Sequence, residues 1–555
     1  MGDRVGRREM DTINQRNVTM NLITDRWLPV RRADGQQERI SPVDITADLQ
    51  TNPIIALDYP RPDFNGAMMQ FLIGLLQTIY APEDDEEWRE RLNDPPTPEL
   101  LSPVMMQVAA AFNLDGDGPR FMQDFDTTLS GESVKIASLL IEAPGEQTVK
   151  LGKDLFQKRR YVTGLCLACS AAALFTLHTN APSGGAGHRT SLRGGGPLTT
   201  LVVPDPREKN YATLWAQLWW NMLDKSAFLS DWLGNNQEIS WFPWLAATRT
   251  SKEGQTVTPA DAHPAIAYWS MPRRIRLDFT TTTSGQCDLC GDLTERLLSQ
   301  YITRPYGMNG AGWNHPLSPY YQDKKTGWLP THPQPGGIAY HHWLELTLGQ
   351  EEEYRPAQVI QVSRQRKSRM PKLLWAFGYD MDNMKARCWY EARLPLIDVP
   401  PEQRSLLAGL AQQMVAGADT VKSFLTKSLR NAWFSTGATV RGDFSFISQS
   451  FWASTTEGFY QSLWQFTDGV ANPTIDLASL KQEISLEWRN LLATKALHLF
   501  ELWATHGAVE YENPKRIAQA YHMLRRSLYG PLLKKALGLP IEEKALRMRR
   551  GERKT

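Results

Sequence analysis

At 555 residues the chain is longer than one hydrophobic core usually organises, so at least two domains are expected. Its 61 lysines and arginines nearly cancel 60 aspartates and glutamates, leaving a formal charge of +1, which excludes the global positive field of a general polyanion binder. Five cysteines in this length exclude a secreted disulfide scaffold, and a charged N-terminus with no apolar stretch carries no secretory signal, so a soluble, cytoplasmic protein is expected.

In chain order, residues 1–19 read as a disordered extension. From Met20, MNLITDRWLPVRRADGQQERISP gives two short alternating runs around Asp34-Gly35, the pattern of a β-hairpin. AMMQFLIGLLQTIYA (67–81) is too short to span a membrane and holds two glutamines, so it predicts a buried helix over about 66–80. PEDDEEWRERL follows, with acidic residues placed for the start of another helix. Up to about residue 400 the elements stay short and mixed, with runs such as PLTTLVV (197–203). The fold class expected is therefore α+β: a large, irregular mixed α/β domain over 20–400, then a helical region.

Beyond residue 400, Leu407, Leu410, Met414, Val421, Leu425 and Leu429 recur at three- and four-residue steps, one face of a long helix. Comparable segments lie near 445–467 and 475–505, the latter with Trp488, Leu492, Leu499 and Trp503. A fourth opens on Asn513 as N-cap and Pro514, presents Ile517, Tyr521, Leu524 and Leu528, and is expected to stop at Gly530-Pro531. Together they predict a C-terminal four-helix bundle over 401–540, with a basic tail at 541–555.

Four of the five cysteines form two C-x-x-C pairs, CLAC with Cys166 and Cys169, and CDLC with Cys287 and Cys290. Thiolates are soft ligands, and two such knuckles complete a closed tetrahedral site, so one shared structural zinc is the first reading. Two others remain open. CLAC runs into SAAALFTL, and a helix N-terminus would activate a redox dithiol; or all four are ordinary buried cysteines. Cys388 has no C-x-x-C partner and is expected in the core.

NAPSGGAGHRTSLRGGGPLTT (180–200) puts six glycines among basic and hydroxyl residues. It lacks the G-K-S/T of a phosphate-binding loop, so it reads either as a flexible surface loop or, with His188, Arg189 and Arg193, as one that lies against a polyanion. In VKLGKDLFQKRRY (149–161), Lys150, Lys153, Lys158, Arg159 and Arg160 surround Phe156, a set that can pair phosphates and stack a base, or simply form a solvated face. Catalytic patterns are lacking: there is no H-E-x-x-H and no G-x-S-x-G, and His341 and His342, read as strand neighbours, would point to opposite faces.

MNLITDRWLPV (20–30), the CLAC and CDLC pair, SLRGGGPLTT (191–200) and WNHPLSPY (313–320), followed by a helical bundle, together resemble the large subunit of the type I-E CRISPR Cascade complex, the CasA family. The resemblance runs in order from Met20 to about 540. It implies a non-enzymatic, DNA- and RNA-binding subunit of an RNA-guided antiviral surveillance complex, in which guide RNA reads the target while this subunit reads the short PAM in double-stranded DNA. It also implies local unwinding toward an R-loop and docking of a helicase-nuclease, with the backbone, small and guide-end subunits, guide RNA and target DNA as partners. The family's glycine loop falls on Ser183, Gly184, Gly185, Ala186 and Gly187, with Arg189 and Arg193 following. Its lysine finger falls near Thr303 and Arg304, with Arg304 expected to do that work. Its glutamine wedge has no counterpart; GYDMDNMKA offers Met384 or Lys385 instead. The segment of Lys153, Phe156, Lys158, Arg159 and Arg160 corresponds to a loop that reaches the guide-RNA end. The competing expectations are a zinc-stapled interaction protein without a nucleic-acid role and a metal-dependent nuclease, which would need an open metal site.

Overall fold

A computed structural model describes residues 20–126, 130–143, 150, 162–185, 187–208, 212–230, 232, 234, 238–366, 368, 370–382, 384–434, 443–505 and 513–541. The extension at 1–19, the tail beyond 541, Ala186 and the whole stretch 151–161 lie outside them. Two compact units emerge, one running to Pro333 and adding Ala357–Glu391, the other made of Gln334–Pro356 and everything from Ala392 onward.

In the first unit the expected hairpin forms, β1 (Leu28–Arg32) against β2 (Gln37–Ile40), with β3 (Ile54–Leu57) on the other edge of β1. The buried helix is α1 (Pro62–Ile79), opened by Pro62 and Asp63. The acidic run opens α2 (Asp85–Asn93), whose N-cap Asp84 accepts hydrogen bonds from the Glu86 and Glu87 amides. The small strand β4 (Glu132–Lys135) precedes α3 (Leu167–Asn180), which is apolar all round and accordingly buried on nearly every side. Where α1 meets α3, Phe71 takes five rings edge-on, Trp27, Phe112, Phe121, Phe175 and Trp269, at centroid distances of 5.6 to 6.0 Å. This aromatic knot is the centre of the unit.

Around it lie small antiparallel sheets. β5 (Thr199–Pro204) leaves the glycine-rich loop. β6 (Arg274–Leu277) and β4 flank β9 (Gln300–Arg304), and β7 (Thr283–Gln286) pairs with β8 (Leu293–Leu297). A long hairpin, β10 (Lys372–Asp382) and β11 (Lys385–Leu396), joins its first strand to β5. Cys388 sits exposed on β11, not in the core: strand alternation turns it outward while its neighbour Trp389 stacks inward on Phe377.

The second unit is the four-helix bundle, α4 (Arg404–Trp433), α5 (Ser445–Ala471), α6 (Leu477–Ala504) and α7 (Pro514–Leu528). All six periodic residues of α4 are buried, and Trp488 of α6 donates its indole N–H to the Met414 carbonyl at 2.9 Å. Asn513 caps α7 through the Arg516 amide, as expected. α7 ends at Leu528, just before Gly530-Pro531, also as expected. Gly530 becomes the N-cap, and Pro531 the first residue, of the short helix α8 (Pro531–Ala536), a position that proline tolerates. His341 and His342 are not on a strand; they lie in a 3-10 turn with rings 3.8 Å apart, His341 stacking on Trp452 at 4.4 Å. Beside them Tyr340 stacks on Phe459 at 4.5 Å and its hydroxyl lies 3.0 Å from Thr455 Oγ1, which ties Gln334–Pro356 to the bundle. No helix among the described residues is long and apolar enough to cross a membrane.

α3 carries a titratable group into the aromatic knot. His178 is fully buried, with Nε2 3.0 Å from the Met122 carbonyl and no partner on Nδ1 among the described residues. Burial pushes its pKa from 6.5 down to about 3. The unfolded chain therefore takes up this proton first, so stability is whole above pH 6.5 and is lost as pH falls toward about 3. Denaturant unfolding at pH 5 should show about 2 kcal/mol less stability from this group than at pH 7.5, and His178→Gln should narrow the difference between the two pH values by that amount. An unchanged difference in the variant would show that the histidine is not held neutral.

A four-sulfur site and the loops it supports

The first knuckle forms at the start of α3. Cys166 is the N-cap, in extended backbone, and its sulfur accepts from the Cys169 amide at 3.4 Å. The second is the turn between β7 and β8, closed by Gly291 N–H to Cys287 O and Cys287 N–H to Asp292 O, both 2.9 Å. The two are joined independently of any ion. Leu165 and Leu298 exchange both backbone hydrogen bonds, at 3.0 and 2.8 Å. The Asp288 carboxylate accepts from the Thr163 amide at 2.6 Å, its hydroxyl at 3.0 Å and the Gly164 amide at 2.9 Å.

The four sulfurs lie within 4.8 Å of one another, and Cys166 and Cys290 are 3.7 Å apart. A disulfide needs about 2.05 Å, whereas four thiolates bound at about 2.3 Å around a tetrahedral ion sit about 3.8 Å from each other. The geometry therefore fits one shared metal ion, and it is the one such cluster among the described residues. Arg39 supplies the positive charge that four thiolates need nearby. Burial works against its own charge, but a hydrogen bond to Cys290 and the charge of Asp292 outweigh it and raise its pKa. Hydrogen bonding with Cys166, then Cys169, pulls the Cys290 thiol down to about 6. An ion held by all four sulfurs would have its tetrahedron filled, with no position left for a reacting water.

From this site the chain leaves twice. α3 runs about 20 Å to the glycine-rich loop, and β8 then β9 lead to Pro305-Tyr306. The two paths meet again: Tyr306 N–H donates to Gly187 O at 2.8 Å. Gly187 has φ +84°, and a Cβ there would lie 2.9 Å from the Tyr306 ring, so only glycine lets the ring sit this close. Ser183, Gly184 and Gly185 are exposed, in a turn closed by Gly184 N–H to His188 O (3.1 Å) and His188 N–H to Gly185 O (2.7 Å). Burial, then the charge of Arg273, pushes the His188 pKa down. Arg189 reaches Ser251 Oγ at 2.8 Å, and the Ser251 amide donates to Tyr306 O.

Arg193 behaves otherwise than its sequence context suggests. It is 4% exposed, with Nη1 on Thr199 Oγ1 and Ser318 Oγ at 3.0 Å each and Nη2 on Gln70 Oε1 at 2.6 Å. Neutral oxygens surround it, and burial pulls its pKa to about 10. It anchors the foot of the loop to α1 and β5 and cannot reach an external polyanion. Arg304, at the end of β9 opposite Arg274 on β6, is half-buried, and no hydrogen bond or ion pair ties its side chain to the described residues. Met384 is 55% exposed and Lys385 is exposed, both at the tip of the β10–β11 hairpin. That hairpin is stiffened near its tip by Arg387, bidentate on Asp380 at 2.6 and 3.1 Å. Just behind the tip, Tyr379 donates its hydroxyl to Asp63 at 2.7 Å and anchors the hairpin to α1. Gly196, at the loop's foot, has φ +62° and lies so close to Tyr379 that a Cβ would be 2.6 Å from that residue's own. Lys153, Phe156, Lys158, Arg159 and Arg160 lie outside the described residues, as does Ala186. Tyr306 and Ser251 escaped sequence reasoning, although P-Y-G is a turn signal.

Residues 21–499 match the sequence model of the family described as CRISPR-associated protein Cse1. Among solved structures, the fold is similar to that of Thermobifida fusca Cse1, with a TM-score of 0.66 and 16% identity over 96% of this chain and 100% of that one. It is similar to Thermus thermophilus CasA (Cse1), with a TM-score of 0.64 and 14% identity over 92% and 99%. A chain of a CRISPR RNA-guided surveillance complex matches with a TM-score of 0.62 and 16% identity over 92% and 100%.

If the four sulfurs hold an ion, elemental analysis of the purified chain will find close to one metal per molecule. Cys287→Ser with Cys290→Ser should bring that close to none and lower the first thermal transition by about 10 °C or more. A variant that keeps its metal, or loses it without a change in melting, would show that the staple is not what holds this region.

Proposed function

Because the chain belongs to the CRISPR-associated Cse1 family, as the large subunit of a type I-E Cascade surveillance complex, we propose that it reads the PAM in double-stranded DNA and starts strand separation there. The observation that carries this reading is the junction of the exposed glycine turn with the Arg304–Tyr306 segment, both suspended from one four-cysteine site. Side chains of ordinary size clash in a narrow minor groove; the backbone of Ser183, Gly184, Gly185, Ala186 and Gly187 does not. The minor groove's degenerate pattern suits a tolerant PAM choice.

Arg189 and Arg304 supply cations for phosphate or groove contact, Met384 the apolar tip that unstacks a base pair, and Lys385 a phosphate contact beside it. To the segment of Lys153, Phe156, Lys158, Arg159 and Arg160 we assign contact with the guide-RNA end. The ion we assign to Cys166, Cys169, Cys287 and Cys290 is zinc, since an all-thiolate tetrahedral set favours a soft, redox-inert cation. When bound it supplies rigidity and no chemistry, so the role is non-enzymatic. The second unit contacts the small subunits and opened DNA, and the protein offers the docking surface for the helicase-nuclease.

Duplex binding by the remaining subunits plus guide RNA, with and without this chain, on matched targets that differ only in PAM and at fixed salt, tests the reading. Addition should tighten binding to one PAM class by roughly tenfold to a hundredfold and open the adjacent base pairs. Arg189→Ala with Arg304→Ala should weaken binding on every target and flatten its salt dependence. Equal binding with and without the chain, whatever the PAM, would leave an interaction subunit with no part in recognition.

A further inference from the structure

Five non-glycine residues among those described have positive φ: Asp48, Met122, Glu253, Glu352 and Tyr306. Three are acids, and Met122 is buried; Tyr306, at φ +68°, is the aromatic one and is 41% exposed. A bulky residue in left-handed backbone is uncommon, and glycine would take the conformation freely. Two backbone hydrogen bonds hold it there, Tyr306 N–H to Gly187 O at 2.8 Å and Ser251 N–H to Tyr306 O at 3.3 Å. One edge of the ring, Cδ1 and Cε1, lies against Gly187. No hydrogen bond occupies its hydroxyl among the described residues. A strained, partly solvated ring held beside an exposed turn is poorly explained by packing, which would bury it. It is well explained by display to a ligand.

We propose that Tyr306 is a contact residue for duplex DNA, its ring packing on a deoxyribose and base edge in the groove that the glycine turn enters. The inference rests on the PAM-reading function proposed above. It adds a contact made by ring area, in which neither charge nor the hydroxyl is required. The neighbouring Arg189, bonded to the same Ser251, takes the phosphate side.

The test uses the assembled complex with Tyr306→Phe, Tyr306→Ala and Tyr306→Gly, measuring duplex affinity on preferred and non-preferred PAM targets. Hydrogen exchange of residues 183–189 is followed in the free subunits. Tyr306→Phe should bind as the parent does, whereas Tyr306→Ala and Tyr306→Gly should bind the preferred target about tenfold more weakly, the scale of an aromatic contact to a nucleotide. Tyr306→Gly, which relieves the backbone strain, should keep its melting temperature and leave exchange in the glycine turn unchanged. Faster exchange in that turn alongside the weaker binding would make Tyr306 a prop for the loop and overturn the contact. So would unchanged affinity in Tyr306→Gly while the parent complex still discriminates PAMs, a result that leaves the PAM reading intact. A parent complex blind to PAM would instead overturn both.

Discussion

The convergence of four sulfurs within 4.8 Å is the constraint from which the first unit is organised. It brings the start of α3 against the turn between β7 and β8, and the glycine turn and the Arg304–Tyr306 segment are strung from those two points. Neither knuckle depends on the ion alone. The Leu165–Leu298 pairing and the Asp288 carboxylate hold the backbones together, while Arg39 places a cation beside Cys290. An ion held by the four sulfurs would turn this junction into a fixed corner. With α3 buried on almost every side, a corner fixed at its N-terminus fixes the loop at its C-terminus.

What could be read in the sequence was local. The helical face of α4 repeats within itself, the C-x-x-C spacing states its own chemistry, and Asn513-Pro514 is an N-terminus written in adjacent residues. What could not be read depends on partners far along the chain. An arginine among glycines looks solvated, yet Arg193 is buried because Gln70 and Ser318 happen to face it. Cys388 looks like core because cysteine usually is, yet its strand turns it outward. Tyr306 gains its meaning from Gly187, and the attachment of Gln334–Pro356 to the bundle comes from Tyr340 meeting Phe459; neither leaves a periodic signal.

The buried polar groups set a second theme. Arg193 and His178 lie in or beside the aromatic knot without carboxylate partners, each held by neutral oxygens. Such groups add little net stability, but they tolerate only one arrangement of their neighbours, because a displaced donor would be left buried and unpaired. Arg193 in this way specifies where the foot of the glycine loop must sit, a task that an apolar residue of the same size would leave undetermined.

The β10–β11 hairpin is a beam with one free end. Its tip at Met384 is in solvent, and a few residues behind the tip it is built in through the Tyr379–Asp63 hydrogen bond and the close contact of Gly196. A sideways force on the tip is therefore delivered to Tyr379 as torque, and the backbone at Gly196 is the first part of the glycine loop to receive it. Since Asp63 opens α1 and is itself gripped by Arg61, the reaction to that torque is spread over a core helix instead of a surface loop. The stiffness of the tip is thus set by how short a length of strand overhangs the buried Tyr379.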